Sequence, residues 1–154
     1  HTYSGAGTYD LRVRVEDDDG ATDTKTKTVE VSDVNNVDIT IDNVGSSAWE
    51  VTSVSRNKSE VASIGKENPD IKLQNNTRYT ITNNGYSSHP LEIFNSNEDA
   101  LLSQSGSGTF EDDSEVNWVD NGGTLKFTVT QNLYNELNGY VCTVHGNMEG
   151  AIIQ

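Results

Sequence analysis

Gly139-Tyr140-Val141-Cys142-Thr143-Val144-His145-Gly146-Asn147-Met148-Glu149-Gly150-Ala151-Ile152-Ile153 contains the only cysteine and the only methionine of the 154-residue chain, and one of its three histidines. The flanks, Gly139-Tyr140-Val141 and Ala151-Ile152-Ile153, read as strands, and the residues between them make a short loop. Within the loop a thiol, an imidazole and a thioether fall at i, i+3 and i+6. A loop this short curls back, so the three side chains converge. Singly, a cysteine is most often a small buried hydrophobe and a methionine a gap-filler. Together they make a donor set that suits copper: thiolate and thioether favour Cu(I), imidazole serves both oxidation states, and a weak axial methionine completes a trigonal His2Cys site. The second imidazole must come from elsewhere, and His89 in Ser87-Ser88-His89-Pro90-Leu91 is the candidate. The expected metal ligands are therefore His89, Cys142, His145 and Met148.

Working outward, Gln131 to Leu137 has apolar residues at i+2, i+3 and i+6, which predicts a turn or two of helix, with Asn138 or Gly139 to end it. Thr124-Leu125-Lys126-Phe127-Thr128-Val129-Thr130 is the clearest strand. From Asn95 to Gly123 the chain is polar and dotted with glycine, with Leu101-Leu102, Phe110 and Val116-Asn117-Trp118 as anchors into a core. Leu91 to Phe94 is a strand behind His89, which the turn Asn83-Asn84-Gly85 delivers. Further strands are expected at Arg78 to Thr82, Ile71 to Leu73, Ala48 to Val54 and Val37 to Ile41, with an irregular connection over residues 55 to 69 and a polar joint from Ser32 to Asn36. Many short strands separated by turn signals predict an all-β sandwich.

Residues 1 to 33 read as a separate hairpin. Thr8 to Val15 alternates polar and apolar like a half-buried strand, Asp17-Asp18-Asp19-Gly20 is a turn, and Thr24 to Val31 returns. The acidic turn lacks the spaced ligands of a calcium loop.

The chain carries 24 Asp and Glu against 10 Lys and Arg, a formal charge of -14. No basic face exists to neutralise phosphates, which excludes nucleic acid as a partner. The acids are scattered and lysine is sparse, so the acidity reads as a surface solvated at very high salt, with a halophilic archaeon as the expected source, rather than as a steering patch. One cysteine allows no intrachain disulfide. No apolar run is long enough to cross a membrane as a helix, so a membrane tether would lie outside this segment. The sequons Asn57-Lys58-Ser59 and Asn75-Asn76-Thr77 accord with secretion.

With its Cys-x-x-His-x-x-Met loop and upstream His-Pro, the segment from Val37 to Gln154 resembles a cupredoxin, a small blue-copper protein of the halocyanin, plastocyanin and amicyanin group. The two-residue gap between His145 and Met148 is the short, amicyanin-like form. His1-Thr2-Tyr3 and Gly7-Thr8-Tyr9, followed by Asp-Gly-Ala-Thr, are similar to the closing third of a PKD repeat, an immunoglobulin-like sandwich of surface proteins whose earlier strands are missing. These resemblances imply a Greek-key, cupredoxin-like β-sandwich at 37–154 preceded by a truncated PKD-like hairpin at 1–33. They imply one copper ion, with His89 as the buried equatorial ligand, His145 as the exposed one and electron port, Cys142 as thiolate and Met148 axial.

The implied function is single-electron transfer at the cell surface, outside the cytoplasmic membrane, by a monomer whose redox partner docks near His145. Gly85, Tyr86, Pro90, Leu91, Gly146 and Asn147 are expected to form a neutral patch there. The alternatives are a structural or adhesive sandwich without a redox role, and copper carriage or storage. An enzyme is not expected. Three histidines cannot build a multicopper oxidase cluster, a Cys142 nucleophile lacks a third orienting group, and His1 falls inside the PKD-like stretch rather than at a histidine brace. Two departures concern the thiolate. In much of the family the residue after the first histidine gives its N–H to sulfur, but here it is Pro90. Val144, often proline in relatives, keeps its N–H and is expected to supply the lost bond.

Overall fold

Thr22–Val31 (β2) returns antiparallel along Gly7–Glu16 (β1), from Gly7 opposite Val31 to Glu16 opposite Thr22. The computed structural model describes residues 7–31, 35–56 and 58–154, and the chain divides into two compact units, His1–Val34 and Asn35–Gln154. In the first unit the Asp17 carboxylate closes the turn by accepting the Ala21 N–H at 2.7 Å, and Gly20 takes a left-handed φ of +83°. The acidic turn is therefore built as a turn, its first carboxylate already in use. The alternation in β1 does not mark a half-buried strand. Leu11, Val13 and Val15 share one face and are 40%, 54% and 63% exposed, because a two-stranded ribbon supplies no second layer. His1-Thr2-Tyr3, the joint Ser32 to Val34, and Asn57 of the first sequon lie outside the described residues.

The second unit runs β3 (Asn35–Val44), β4 (Ala48–Val54), α1 (Lys58–Val61), β5 (Ile71–Lys72), β6 (Thr77–Asn83), β7 (Leu91–Phe94), β8 (Ala100–Ser103), β9 (Val119–Asp120), β10 (Thr124–Val129), α2 (Gln131–Glu136), β11 (Gly139–Cys142) and β12 (Glu149–Ile153). Two five-stranded sheets result, in the orders β4-β3-β6-β10-β9 and β5-β12-β11-β7-β8. Pairing is antiparallel except for β3 with β6 and β5 with β12. The unit is an all-β sandwich of mixed topology.

Period-two alternation fixes which side of each strand is buried. In β6, Thr77, Tyr79, Ile81 and Asn83 point inward and the residues between them are half exposed. Ile39, Ile41, Ile81 and Phe127 from one sheet join Leu91, Ile93, Tyr140 and Ile152 from the other in a single core. Phe127 stacks on Tyr79 at 5.9 Å between ring centroids. Each aromatic or branched aliphatic residue so buried contributes about 1.5–3 kcal/mol against exposure.

The helix after β10 forms where the apolar spacing predicts it. Thr130 caps α2 by accepting the Leu133 N–H, and Leu133 is fully buried. Its exit is not a left-handed cap at Asn138 or Gly139. Leu137 leaves in an extended conformation (φ -60°, ψ 130°), and Gly139 is needed instead for close approach, since a Cβ there would meet Phe94 Cζ at 2.5 Å. β3 starts at Asn35, so the polar joint is shorter than the sequence suggests. Among the described residues no helix is long and apolar enough to cross a membrane.

Candidate metal centre

β7 and β11 pair antiparallel with Leu91 opposite Cys142, which brings the residue two before Leu91 to the end of β11. That residue is His89. A buried polar network holds it there. Asn83 Nδ2 donates to the His89 carbonyl at 2.9 Å and to Gln104 Oε1 at 2.8 Å, and Gln104 Oε1 also accepts the Leu91 N–H at 2.9 Å. Asn83 and Gln104 are both buried. Such a network rigidifies only when all its members are satisfied, and here each is.

The loop 142–148 is two successive turns. His145 N–H donates to the Cys142 carbonyl, Met148 N–H to the His145 carbonyl, and Cys142 N–H back to the Met148 carbonyl, at 3.2, 2.9 and 2.9 Å. The first of these turns brings the His145 ring to the Cys142 thiol, as the spacing predicts. Thr143 N–H donates to the Pro90 carbonyl at 3.0 Å and ties the loop to the His89 segment.

The two imidazoles meet on the thiol. His89 Nδ1 lies 3.8 Å from Cys142 Sγ and His145 Nδ1 lies 3.7 Å from it. The imidazole rings are 4.8 Å apart between centroids. Metal bonds of about 2.3 Å to sulfur and about 2.0 Å to nitrogen, at an angle near 120°, separate the two donors by about 3.7 Å. Each sulfur–nitrogen separation thus matches an ion bound between the two atoms, and all three ligand atoms lie within 4.8 Å of one another. His89 is 7% and Cys142 1% exposed, while His145 is half buried. Burial, then the nearby His145, hold the His89 imidazole below its ordinary pKa, which leaves it neutral with a lone pair to give.

Of the four expected ligands, His89, Cys142 and His145 come within reach of one ion. Met148 is fully buried in the same loop, one of the largest side chains with no exposure. The expected bond from Val144 is not made. Among the described residues, the hydrogen-bond partners of the Cys142 Sγ are the two Nδ1 atoms, and Val144 is 62% exposed. Leu91 does not belong to a surface patch, being 3% exposed beneath the site.

Sequence reasoning missed the supporting residues. Asn83 had a legible signal, a polar residue at the inward position of an otherwise apolar alternation. Trp49, which stands 6.1 Å from the His89 ring, and Gln104 had none, since their roles depend on contacts across the two sheets.

Fold and site together define a β-sandwich with a buried His-Cys-His cluster able to hold a metal ion. No family model, curated protein or solved structure matches the chain.

Proposed function

We propose that the Asn35–Gln154 unit is a cupredoxin-like, Greek-key type 1 copper protein that carries single electrons between redox partners at the cell surface. The observation that carries this reading is the pair of Nδ1 atoms on one buried thiol, in a loop that also buries the only methionine. A trigonal His2Cys set with a weak thioether suits copper in both oxidation states, and a bound copper ion would supply reversible one-electron chemistry. Cys142 would ligate as thiolate, releasing its proton on binding. His89, held by Asn83 and backed by Trp49, keeps its ring fixed between oxidation states. His145, the less buried imidazole, faces the side from which a partner approaches. Exposed Val144, Gly146 and Asn147 beside it carry no charge and give a partner a neutral contact on an otherwise acidic molecule.

The first unit would be a PKD-like hairpin of a surface protein, and the acidic composition accords with a halophilic source; no catalytic role is proposed. Voltammetry of the copper-loaded protein tests the reading. A reversible one-electron wave supports electron transfer, copper uptake without such a wave points to carriage or storage, and no uptake points to a structural module.

A further inference from the structure

Asn68 and Pro69 lie in the irregular connection before β5, 79 residues upstream of Asn147 and 71 upstream of Tyr140 respectively, and yet contact both arms of the metal loop through those two residues. Asn68 holds a left-handed φ of +44°, a conformation asparagine tolerates better than most residues. Its Oδ1 accepts the Trp49 N–H at 2.8 Å and its own N–H donates to the Trp49 carbonyl at 2.7 Å. Its Nδ2 donates to the carbonyl of Asn147 at 3.1 Å, next to Met148. The carbonyl of Pro69 accepts the Tyr140 hydroxyl at 2.6 Å, two residues before Cys142. Asn147 closes the arrangement by donating Nδ2 to the carbonyls of Ser46 and Ser47, each at 3.2 Å.

From these contacts we infer that Asn68 and Asn147 are positioning residues: with Pro69 they form a bracket that holds the His-Cys-Met loop and the Trp49 support of His89 in ligand geometry before any metal arrives. The bracket is a single strap across three parts of the centre. It reaches the entry arm through Tyr140, the exit arm through Asn147, and the distant histidine through Trp49, whose ring stands edge-on to His89. A loop restrained at both arms cannot relax when its ligands change charge, so the strap limits rearrangement at the site. Its role toward copper rests on the function proposed above; its effect on the loop does not.

The test separates the two. In the metal-free protein Cys142 is buried, so a thiol reagent reports how often the loop opens. Asn68→Gly keeps the left-handed backbone and removes the amide; Asn147→Ala removes the two bonds to Ser46 and Ser47. Each is expected to raise the rate of Cys142 modification about tenfold, the worth of one or two hydrogen bonds in a local opening. Copper affinity, measured by competition, is expected to fall about 10- to 100-fold. Modification rates within twofold of the parent in both variants, or a rise wholly explained by lower global stability, would overturn the bracket. A parent that takes up no copper would overturn the copper reading instead, and the thiol rates would still decide the bracket.

Discussion

The indole of Trp49 stands edge-on to the ring of His89, with the planes 75° apart. Its Nε1 is the one buried side-chain nitrogen or oxygen without a hydrogen-bond partner among the described residues. Leaving that donor unmet costs about 1–3 kcal/mol. Shrinking the ring to phenyl removes the cost but gives up roughly 1–2 kcal/mol of packing. The two nearly cancel, so Trp49→Phe is expected to change unfolding free energy by less than about 1.5 kcal/mol, whereas Trp49→Ala costs about 3–5 kcal/mol. Urea unfolding of both variants measures the difference. A loss above about 3 kcal/mol for phenylalanine would mean that the indole N–H stabilises the fold.

Tyr140 lies across Gly150, its register partner on β12, so closely that a Cβ on Gly150 would overlap the tyrosine ring and hydroxyl. Gly150→Ala must push the ring away and break its bond to Pro69. The expected cost is about 1–3 kcal/mol, as for other overpacked positions. Thermal unfolding checks it, and an unchanged midpoint would show that the ring is free to shift.

Burial raises the pKa of Tyr79 above its ordinary value. The folded protein therefore keeps that proton to higher pH than the unfolded chain does. The stability involved is fully present below about pH 10 and is lost as pH rises beyond it. Tyr79→Phe is expected to reduce the alkaline slope of unfolding free energy. Tyr140 shifts in the same direction, so part of the slope persists. Urea midpoints taken from pH 8 to pH 11 measure it, and an unaltered slope would contradict the assignment.

Among the described residues only Arg14 and Glu16 form an ion pair, and both are exposed. With a formal charge of -14, the remaining carboxylates repel one another. The Debye length is about 3 Å at 1 M salt and about 10 Å at 0.1 M. Stability is therefore expected to fall as salt is diluted. A melting temperature independent of salt between 0.1 M and 3 M would contradict the halophilic reading of the composition.

How much of this was legible in the sequence follows from the range of each interaction. β6, β7, β10 and β11 were visible because alternation and β-branched residues act over a few positions, and the ligand loop because its spacing is itself local. β8 and β9 were not. Ala100-Leu101-Leu102-Ser103 is a four-residue edge strand without alternation, and Val119-Asp120 is two residues long. Both exist only because neighbouring strands offer a ladder. The alternation in β1 was legible but misread, since period two records a strand and not what covers it. His89, Cys142 and His145 were found by donor chemistry. Asn68 and Gln104 were not, because a bracket spanning 79 residues leaves no local trace.

The central claim is that Cys142 is a copper thiolate shared with His89 and His145. The visible spectrum of the protein loaded with one equivalent of Cu(II) tests it most directly, with Cys142→Ser alongside. An intense thiolate-to-copper band in the parent, absent from a folded Cys142→Ser variant, is the predicted result. A parent without the band, or a variant that keeps it, would contradict the account.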